Sequence, residues 1–292
     1  MTEDNKIKRF VKKITQSFVK QTTWVGKAVA GYTIEEEIGK GSWGNVYRGI
    51  QDETFVAIKI LSKGTSAEEE KTARFRRETN SLMQIKHPNI IDLIDFGTTS
   101  EDYHYLVMEY FPGQDLESIL GQEKCLSAEE AVNVVRQICS GMEVAHVHGL
   151  IHRDLKPGNI LYRREKGLIK IIDFGLAKIL HNDIMITQQG SVMGTPYYMS
   201  PEQCQGHSLD ARTDIYSLGI MLFQMLTGLL PFAGENVVRT LYAQIYEPLT
   251  WPERTQFSIS YSLRSLVKKM TAKDRDDRYQ SMREVLEQIE KL

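Results

Sequence analysis

Hydrophobic residues follow two different periods in the first part of the chain. Over residues 6–20 they recur at helical spacing, with most Lys and Arg residues on the other side, which predicts a basic amphipathic helix. Residues 26–31 begin and end with glycine and predict a linker. Beyond them, runs rich in β-branched residues predict strands, interrupted by one charged helix over residues 67–85. The predicted strands begin near Ile34, Val46 and Phe55 and continue over residues 90–96 and 105–110.

Helical spacing dominates the rest of the chain. Residues 127–148 predict a long helix that Ser127 caps, and residues 260–292 predict terminal helices. The uncharged run 215–234 is long enough to raise the question of a membrane span, but it contains Gln224, Gly228 and Pro231. We therefore expect a buried helix that ends near Thr227. Strands in the first part and helices in the second give the fold class α+β.

The net charge is unevenly distributed along the chain. The 292 residues carry a net charge of −2, which favours neither nucleic acid nor a membrane as a partner of the whole chain. Residues 1–31, however, carry +5, and the remainder carries −7. The predicted helix is too short to be stable alone in water, so its apolar stripe must be buried against another surface. We expect it to dock on the protein itself or on a second copy, and an anionic membrane surface is the alternative.

Cysteine usage and the N-terminus bear on location. Cys125, Cys139 and Cys204 show no CxxC pattern, so we expect neither a disulfide framework nor a zinc site. The N-terminus lacks the continuous apolar core of a signal peptide. We therefore expect a cytoplasmic protein, with peripheral membrane association as the alternative.

The strongest chemical signal lies between residues 151 and 175. Asp154, Lys156 and Asn159 fall within six positions, and Asp173-Phe174-Gly175 begins nineteen residues after Asp154. A carboxylate that can receive a proton, a nearby cation and two oxygen ligands for a metal are what phosphoryl transfer requires. Because all of these groups occur in this order and spacing, the stretch indicates a phosphoryl-transfer site.

A glycine-rich loop lies between two predicted strands. Residues 39–46, Gly-Lys-Gly-Ser-Trp-Gly-Asn-Val, have the pattern GxGxxGxV. Dinucleotide-binding folds use a similar pattern, but there a helix follows the glycines, whereas here a strand follows. The strands on both sides argue against that fold, and the glycines let backbone amides approach phosphates closely. In the next strand Ala57 and Lys59 share one face, because alternate residues point to the same side.

Together these motifs resemble those of the Hanks-type, or eukaryotic-like, serine/threonine protein kinases, over about residues 32–290. The sequence at 197–203, Tyr-Tyr-Met-Ser-Pro-Glu-Gln, is most similar to the bacterial branch. Lys156 and Thr195 are typical of the serine/threonine kinases and not of the tyrosine kinases. The resemblance implies transfer of the γ-phosphate of ATP to Ser or Thr hydroxyls of protein substrates, with autophosphorylation of the activation segment.

The resemblance also implies an architecture. It places a protein kinase domain at residues 32–292, with a bilobal fold. A small β-rich N-lobe is expected at 32–110, a hinge at 109–113 and a mostly helical C-lobe at 114–292. The amphipathic helix and linker at 1–31 precede this domain.

Individual roles follow from the same resemblance. The residues expected around the nucleotide are Gly39, Gly41, Trp43, Gly44, Val46, Ala57, Lys59, Met108, Glu109, Phe111, Asp115 and Leu161. The residues expected in catalysis are Asp154, Lys156, Lys59, Glu78 and Thr195. Asn159 and Asp173 are expected to hold two Mg²⁺ ions, with Mn²⁺ as an alternative. Within this set Glu78 is expected to pair with Lys59, so that Lys59 orients the α- and β-phosphates of ATP.

Further contacts are implied away from the nucleotide. Glu202 is expected to pair with Arg278, and Asp214 to anchor the backbone of the catalytic loop. Arg153, just before Asp154, is a cation ready for an anionic group. A phosphate on the polar activation segment, at Thr187 or Ser191, is the group that we expect it to meet.

Three other classes of protein fit less well. A pseudokinase scaffold usually lacks one of Lys59, Asp154 and Asp173, and all three are present. A dinucleotide-binding enzyme needs a helix directly after Gly44. A kinase of small molecules usually lacks the Gly-Thr-Pro and Ser-Pro-Glu sequences that form a platform for peptides.

Overall fold

The first part of the molecule is an antiparallel sheet of six strands. The computed structural model describes residues 24–41, 44–61, 69–175, 196–253 and 258–292. The strand order is β1-β2-β3-β4-β6-β5. The strands are β1 (Ala28–Val29), β2 (Tyr32–Gly41), β3 (Gly44–Gln51), β4 (Thr54–Leu61), β5 (Leu93–Thr98) and β6 (His104–Glu109). Helix α1 (Glu69–Met83) packs on this sheet through buried Phe75, whose ring lies 6.3 Å from that of Phe96.

Strand β5 begins three residues later than the sequence predicts. Ile90 makes only an isolated parallel bridge, to Ile171 in the second part of the molecule. The amide of Ile91 donates to the carbonyl of Ile171 at 3.0 Å. Because the backbone of these two residues is bonded to the other lobe, it does not join the six-stranded sheet, which starts at Leu93.

The predicted linker at residues 26–31 is wrong, because this segment belongs to the sheet. Strand β1 pairs with β2, and the amide of Gly26 donates to the carbonyl of Ile34 at 2.9 Å. Trp24 is 6% exposed and packs edge-on against Tyr103, with ring centroids 5.4 Å apart. The glycines at both ends have φ near +84°, so they form tight turns and not a flexible connection. The predicted amphipathic helix at 6–20 lies outside the described residues.

The second part of the molecule is mostly helical. A three-stranded sheet of β7 (Gln114–Asp115), β8 (Ile160–Arg163) and β9 (Leu168–Ile171) faces the cleft side. The helices are α2 (Leu116–Glu123), α3 (Ala128–Val147), α4 (Pro201–Cys204), α5 (Arg212–Thr227), α6 (Val237–Tyr246), α7 (Tyr261–Met270) and α8 (Met282–Ile289). Ser127 caps α3 by accepting from the amide of Glu130, as predicted. These observations confirm the α+β class.

Helix α5 is the buried centre of this helical part. It ends at Thr227, as predicted, and Gly228 follows in the left-handed conformation. Helices α3 and α7 pack against it. Within the described ranges, no helix combines the length and the apolar character needed to cross a bilayer. Most apolar side chains of the uncharged run at 215–234 are buried in the helical core, whereas Leu229, beyond the end of α5, is exposed.

A buried ion pair joins α4 to the C-terminal region. The guanidinium of Arg278 donates two hydrogen bonds to the carboxylate of Glu202, each 2.8 Å long, as the sequence predicted. Both side chains are almost fully buried. Burial alone would raise the pKa of Glu202, but the bonds and charge of Arg278, together with a backbone bond and the bond from Thr213, lower it. The pair fixes the Ser-Pro-Glu segment against the helical core.

Candidate active site

A cleft of about 1200 Å³ lies between the sheet and the helical part. It gathers residues that are far apart in the sequence. The predicted site residues that line it are Gly39, Gly41, Gly44, Val46, Ala57, Lys59, Met108, Glu109, Phe111, Asp115, Asp154, Lys156, Asn159, Leu161 and Asp173. Glu78 does not line the cleft, and Trp43 and Thr195 lie outside the described residues.

The glycine hairpin forms the roof of the cleft. Gly41 of β2 pairs with Gly44 of β3, and Val46 of β3 pairs with Lys59 of β4. At Gly44, φ is +145°, and a Cβ atom would lie 2.2 Å from the carbonyl oxygen of Ile60. Only glycine fits there, so the close approach of β3 to β4 depends on this residue.

An ion pair that the sequence did not reveal supports the hinge. Lys170 of β9 donates to the carboxylate of Glu109 at 2.5 Å and to the carbonyl of Ile90 at 3.0 Å. The same Glu109 oxygen accepts from the amide of Asp92 at 2.8 Å. Lys170 is buried, with 9% of its surface exposed. The sequence does not reveal this, because a Lys between two isoleucines in a four-residue strand is what alternation of exposed and buried residues would also produce. The hinge is thereby bonded to both parts of the molecule.

The catalytic loop brings three predicted residues together. The ammonium of Lys156 lies 3.2 Å from the carboxylate of Asp154. The side-chain amide of Asn159 donates to the backbone carbonyl of Asp154 at 2.7 Å and to its carboxylate at 3.1 Å. These contacts hold the Asp154 carboxylate in the cleft, where it can accept a proton from a hydroxyl group.

Asp214 anchors this loop from below, as predicted. Its carboxylate accepts from the backbone amides of His152 at 2.8 Å and Arg153 at 3.0 Å. The ring of His146 bonds to it at 2.8 Å. Burial would raise the pKa of Asp214, but the His146 bond and the other partners lower it, so the carboxylate stays ionised. Burial also lowers the pKa of His152, whose ring packs 4.9 Å from Phe174.

The predicted pairing of Lys59 with Glu78 is wrong for this structure. The ammonium of Lys59 lies 2.6 Å from the carboxylate of Asp173. Glu78 instead contacts the guanidinium groups of Arg74 at 3.2 Å and Arg153 at 3.3 Å. Lys59 is 7% exposed and needs a nearby acid, and here Asp173 supplies it. The negative charge of Glu78 is balanced by two guanidinium groups. Arg74 lies one turn earlier on α1, and Arg153 belongs to the catalytic loop, towards which Glu78 points.

The donor set at the floor of the cleft fits a hard cation. Asn159 uses its amino group on Asp154, so its carbonyl oxygen is the atom left for a metal. Asp173 adds a carboxylate on the same cleft. In the described ranges, no three His, Cys, Asp or Glu residues gather into a metal-binding cluster. Two oxygen donors suit Mg²⁺, which is commonly held by one or two protein ligands together with phosphates and water.

Residues 196–198, which we call the platform, are held through their backbone carbonyls. The side-chain amide of Gln244 on α6 donates to the carbonyls of Tyr197 at 2.6 Å and Pro196 at 3.2 Å. Lys273 donates to the carbonyl of Gln244 at 2.7 Å, and burial lowers the pKa of Lys273 to about 8. Sequence reasoning missed the role of Gln244. A polar residue on the apolar face of a helix was the signal that this side chain needs a buried hydrogen-bond partner.

Comparisons with known proteins agree with this geometry. A family model described as protein kinase domain matches residues 32–289. The chain is 37% identical over 271 residues to the probable serine/threonine-protein kinase PknB of Lactococcus lactis, covering 91% of the chain and 42% of that protein. It is 39% identical over 260 residues to the serine/threonine-protein kinase PrkC of Bacillus subtilis, covering 88% of the chain and 40% of that protein. The chain thus spans about two fifths of the length of these curated relatives.

Solved structures share the architecture. The kinase domain of PknI from Mycobacterium tuberculosis has a TM-score of 0.71 with this chain at 25% sequence identity. The match covers 92% of this chain and 99% of that one. A bilobal arrangement of sheet, cleft and helical part is therefore common to both.

Proposed function

We propose, since this chain belongs to the protein kinase domain family and to its bacterial serine/threonine branch, that it transfers the γ-phosphate of ATP to Ser and Thr hydroxyls of proteins. The observation that carries the proposal is the meeting of Asp154, Lys156, Asn159, Asp173 and Lys59 in one cleft below the glycine hairpin. Transfer of labelled phosphate from ATP to serine and threonine peptides, and not to tyrosine peptides, tests it.

The proposed roles divide the cleft into an acceptor side and a nucleotide side. Asp154 receives the hydroxyl proton and aims the oxygen, while Lys156 and Thr195 are proposed to stabilise the charge that moves with the γ-phosphate. Lys59 orients the other phosphates under the glycine hairpin, and Trp43 is proposed to shield them from water. Asn159 and Asp173 would hold two Mg²⁺ ions, or Mn²⁺, which would neutralise phosphate charge.

Adenine is proposed to bind against the hinge. Ala57 and Met108 are directly opposed on β4 and β6, and Leu161 lines the other side of the cleft. Backbone groups of Glu109 and Phe111 meet the adenine edge. Asp115 is proposed to bond the ribose, although its carboxylate also caps α2 by accepting from the amide of Ser118 at 2.7 Å.

Autophosphorylation is proposed to act through Arg153. Its guanidinium contacts Glu78, and a phosphate on the activation segment would compete for the same cation. Glu78 would then be free to pair with Lys59, which gives the arrangement expected from the sequence. The candidate acceptors Thr187 and Ser191 lie outside the described residues.

Replacing both Thr187 and Ser191 by Ala is expected to lower the rate of peptide phosphorylation by about tenfold or more, since a hydrogen bond to a charged group contributes about 1.5–3 kcal/mol. Mass spectrometry of the active protein should find phosphate on at least one of them. Ser208→Ala, on an exposed loop, is the matched control. Fully active protein with neither residue modified would contradict this part of the proposal.

Residues 1–31 are proposed to bind the kinase body or a second copy, with an anionic membrane surface in second place. The +5 charge of this segment opposes the −7 of the remainder. A protein kinase with protein substrates and ATP as partners is proposed to act in the cytoplasm. Because Trp24 and β1 are part of the sheet, the part of this segment that is left to dock is residues 1–23.

A shortened chain that begins at Thr23 keeps Trp24 and tests this segment without damaging the sheet. Docking predicts a changed mass by light scattering, or a changed kinase rate, in the absence of lipid. Sedimentation with anionic liposomes is the parallel measurement. If only liposome binding changes, the membrane is the partner and docking is rejected, and if nothing changes both ideas fail.

A further inference from the structure

The backbone of Arg153 has an unusual conformation directly before Asp154. Its φ is +62°, in the left-handed region that residues with a Cβ rarely adopt. Such a conformation persists only where the surroundings hold it. Asp214 bonds the amide on one side of Arg153, as described above, and a second side chain bonds the carbonyl on the other side.

That second side chain is Gln203, the third residue of α4. Its side-chain amino group donates to the carbonyl of Arg153 at 2.9 Å. Its side-chain oxygen accepts from the backbone amide of Ser200 at 3.0 Å. The Gln203 side chain is buried, and both ends of its amide group are bonded. Because the Arg153 carbonyl only accepts and the Ser200 amide only donates, these partners fix which way round the amide lies.

The bonded carbonyl matters because it belongs to the peptide unit that leads into Asp154. A peptide bond is planar, so fixing the Arg153 carbonyl also fixes the amide of Asp154 and the direction of its Cα atom. Asp214 fixes the preceding peptide unit in the same way. The two side chains come from different elements, α5 and α4, and α4 directly follows the platform at residues 196–198.

We propose that Gln203 is a positioning residue, which sets the backbone that carries Asp154 and couples the peptide platform to the acceptor side of the cleft. The proposal rests on the proposed function, because Asp154 is the group that meets the acceptor. Gln203 touches neither nucleotide nor acceptor in this role. It acts by bonding the Arg153 carbonyl, which positions Asp154, and the Ser200 amide, which lies next to the platform.

A purely local role for Gln203 makes a different prediction. The side chain also completes a capping box with Ser200 at the start of α4. Glu is as good as Gln in that position, because the cap uses only an acceptor oxygen. A carboxylate, however, cannot donate to the Arg153 carbonyl and would repel it. Gln203→Glu therefore retains the cap and removes the donor.

The test compares Gln203→Glu with Gln205→Glu in the full chain. Gln205 is exposed two positions further on, so the control introduces the same charge without touching Arg153. At pH 8 we expect kcat for a serine peptide to fall about tenfold in Gln203→Glu, with KM for ATP unchanged, the size expected when one hydrogen bond is lost and its carbonyl repelled. The control should behave as the unmodified protein.

The pH profile separates positioning from a structural role. Burial at this position disfavours the charged form of the introduced carboxyl group and raises its pKa above the usual value. As the pH falls towards 6 the group therefore takes up a proton and can again donate to the Arg153 carbonyl, so activity relative to the control should rise. Other titratable and charged groups on the packed elements are the same in both variants, and their titration cancels in the ratio. These groups are Arg153, Asp154 and His152 on the loop, Asp214 on α5, Glu202 and Cys204 on α4, and Arg278.

Gln203→Met is the second variant, since it fills the space with no donor and no charge. It should have low kcat at every pH and no recovery towards pH 6. A kcat in Gln203→Met equal to that of the unmodified protein would overturn the positioning role. So would an activity of Gln203→Glu that equals the activity of the Gln205→Glu control at every pH. If Gln203→Glu fails to bind ATP, the Met variant decides alone. An unmodified protein that phosphorylates no peptide would instead reject the proposed function, which keeps the two failures distinct.

Discussion

Replacing Asp154 by Asn is expected to lower the rate of peptide phosphorylation by about 10²–10⁴-fold and to leave the affinity for ATP nearly unchanged. An amide oxygen can still accept the bond from Asn159, so the loop keeps its shape. The introduced amide group cannot receive the proton of the acceptor hydroxyl, and it carries no charge to pair with Lys156. The change thus removes the chemistry on the acceptor side alone.

Phosphate transfer from labelled ATP and calorimetric titration of nucleotide measure these two effects separately. The variant should be purified from cells that lack other kinases, because a contaminating kinase would hide the loss. Asp277→Asn is the matched control, since Asp277 is exposed and far from the cleft residues in sequence. Undiminished autophosphorylation of Asp154→Asn would remove Asp154 from the acceptor role.

The second large effect is expected from Asp173→Ala. Activity should fall at least about 100-fold, because a bound metal contributes several kcal/mol to stabilising phosphate charge. The reason lies in the donor set, in which Asp173 is the carboxylate beside the carbonyl oxygen of Asn159. The ammonium of Lys59 also loses its 2.6 Å partner in this variant.

A binding measurement distinguishes the metal role from the pairing with Lys59. In Asp173→Ala, the affinity for ATP should be nearly the same with Mg²⁺ as with a chelator that removes it. Mn²⁺ should not restore the metal dependence of ATP binding. Lys59→Met, which removes the same ion pair from the other side, should keep a clear metal dependence. Equal Mg²⁺ dependence in Asp173→Ala and in the unmodified chain would show that the metal is held elsewhere.

Most residues that the family resemblance assigned to the site line the cleft, whereas Trp43 and Thr195 lie outside the described residues and stay predictions. The catalytic-loop contacts of Asp154, Lys156 and Asn159 are short-range, so spacing alone brings them together. The partner of Lys59 could not be predicted in the same way. It depends on where α1 directs Glu78, and that is decided by packing and by competition from Arg74 and Arg153.

Errors in the sequence prediction have equally local causes. Two glycines around residues 26–31 suggested a linker, but their positive φ values form turns that let β1 pair. Trp24 was the overlooked signal, since a large aromatic residue beside a strand usually needs burial. Lys170 and Gln203 escaped notice because a polar residue gives no sign, in sequence alone, of a buried partner far along the chain.

The Glu202–Arg278 pair has a consequence for the order of assembly. Its partners are 76 positions apart, so the contact is non-local, and such contacts form only after the entropy of closing a long loop has been overcome. During synthesis the N-terminal sheet and the catalytic loop leave the ribosome first. Helix α4, next to the platform, is clamped only when Arg278 has emerged and α5 has packed. A nascent chain can therefore contain Asp154 and the residues of the cleft while α4, which carries Gln203, still lacks its buried ion pair.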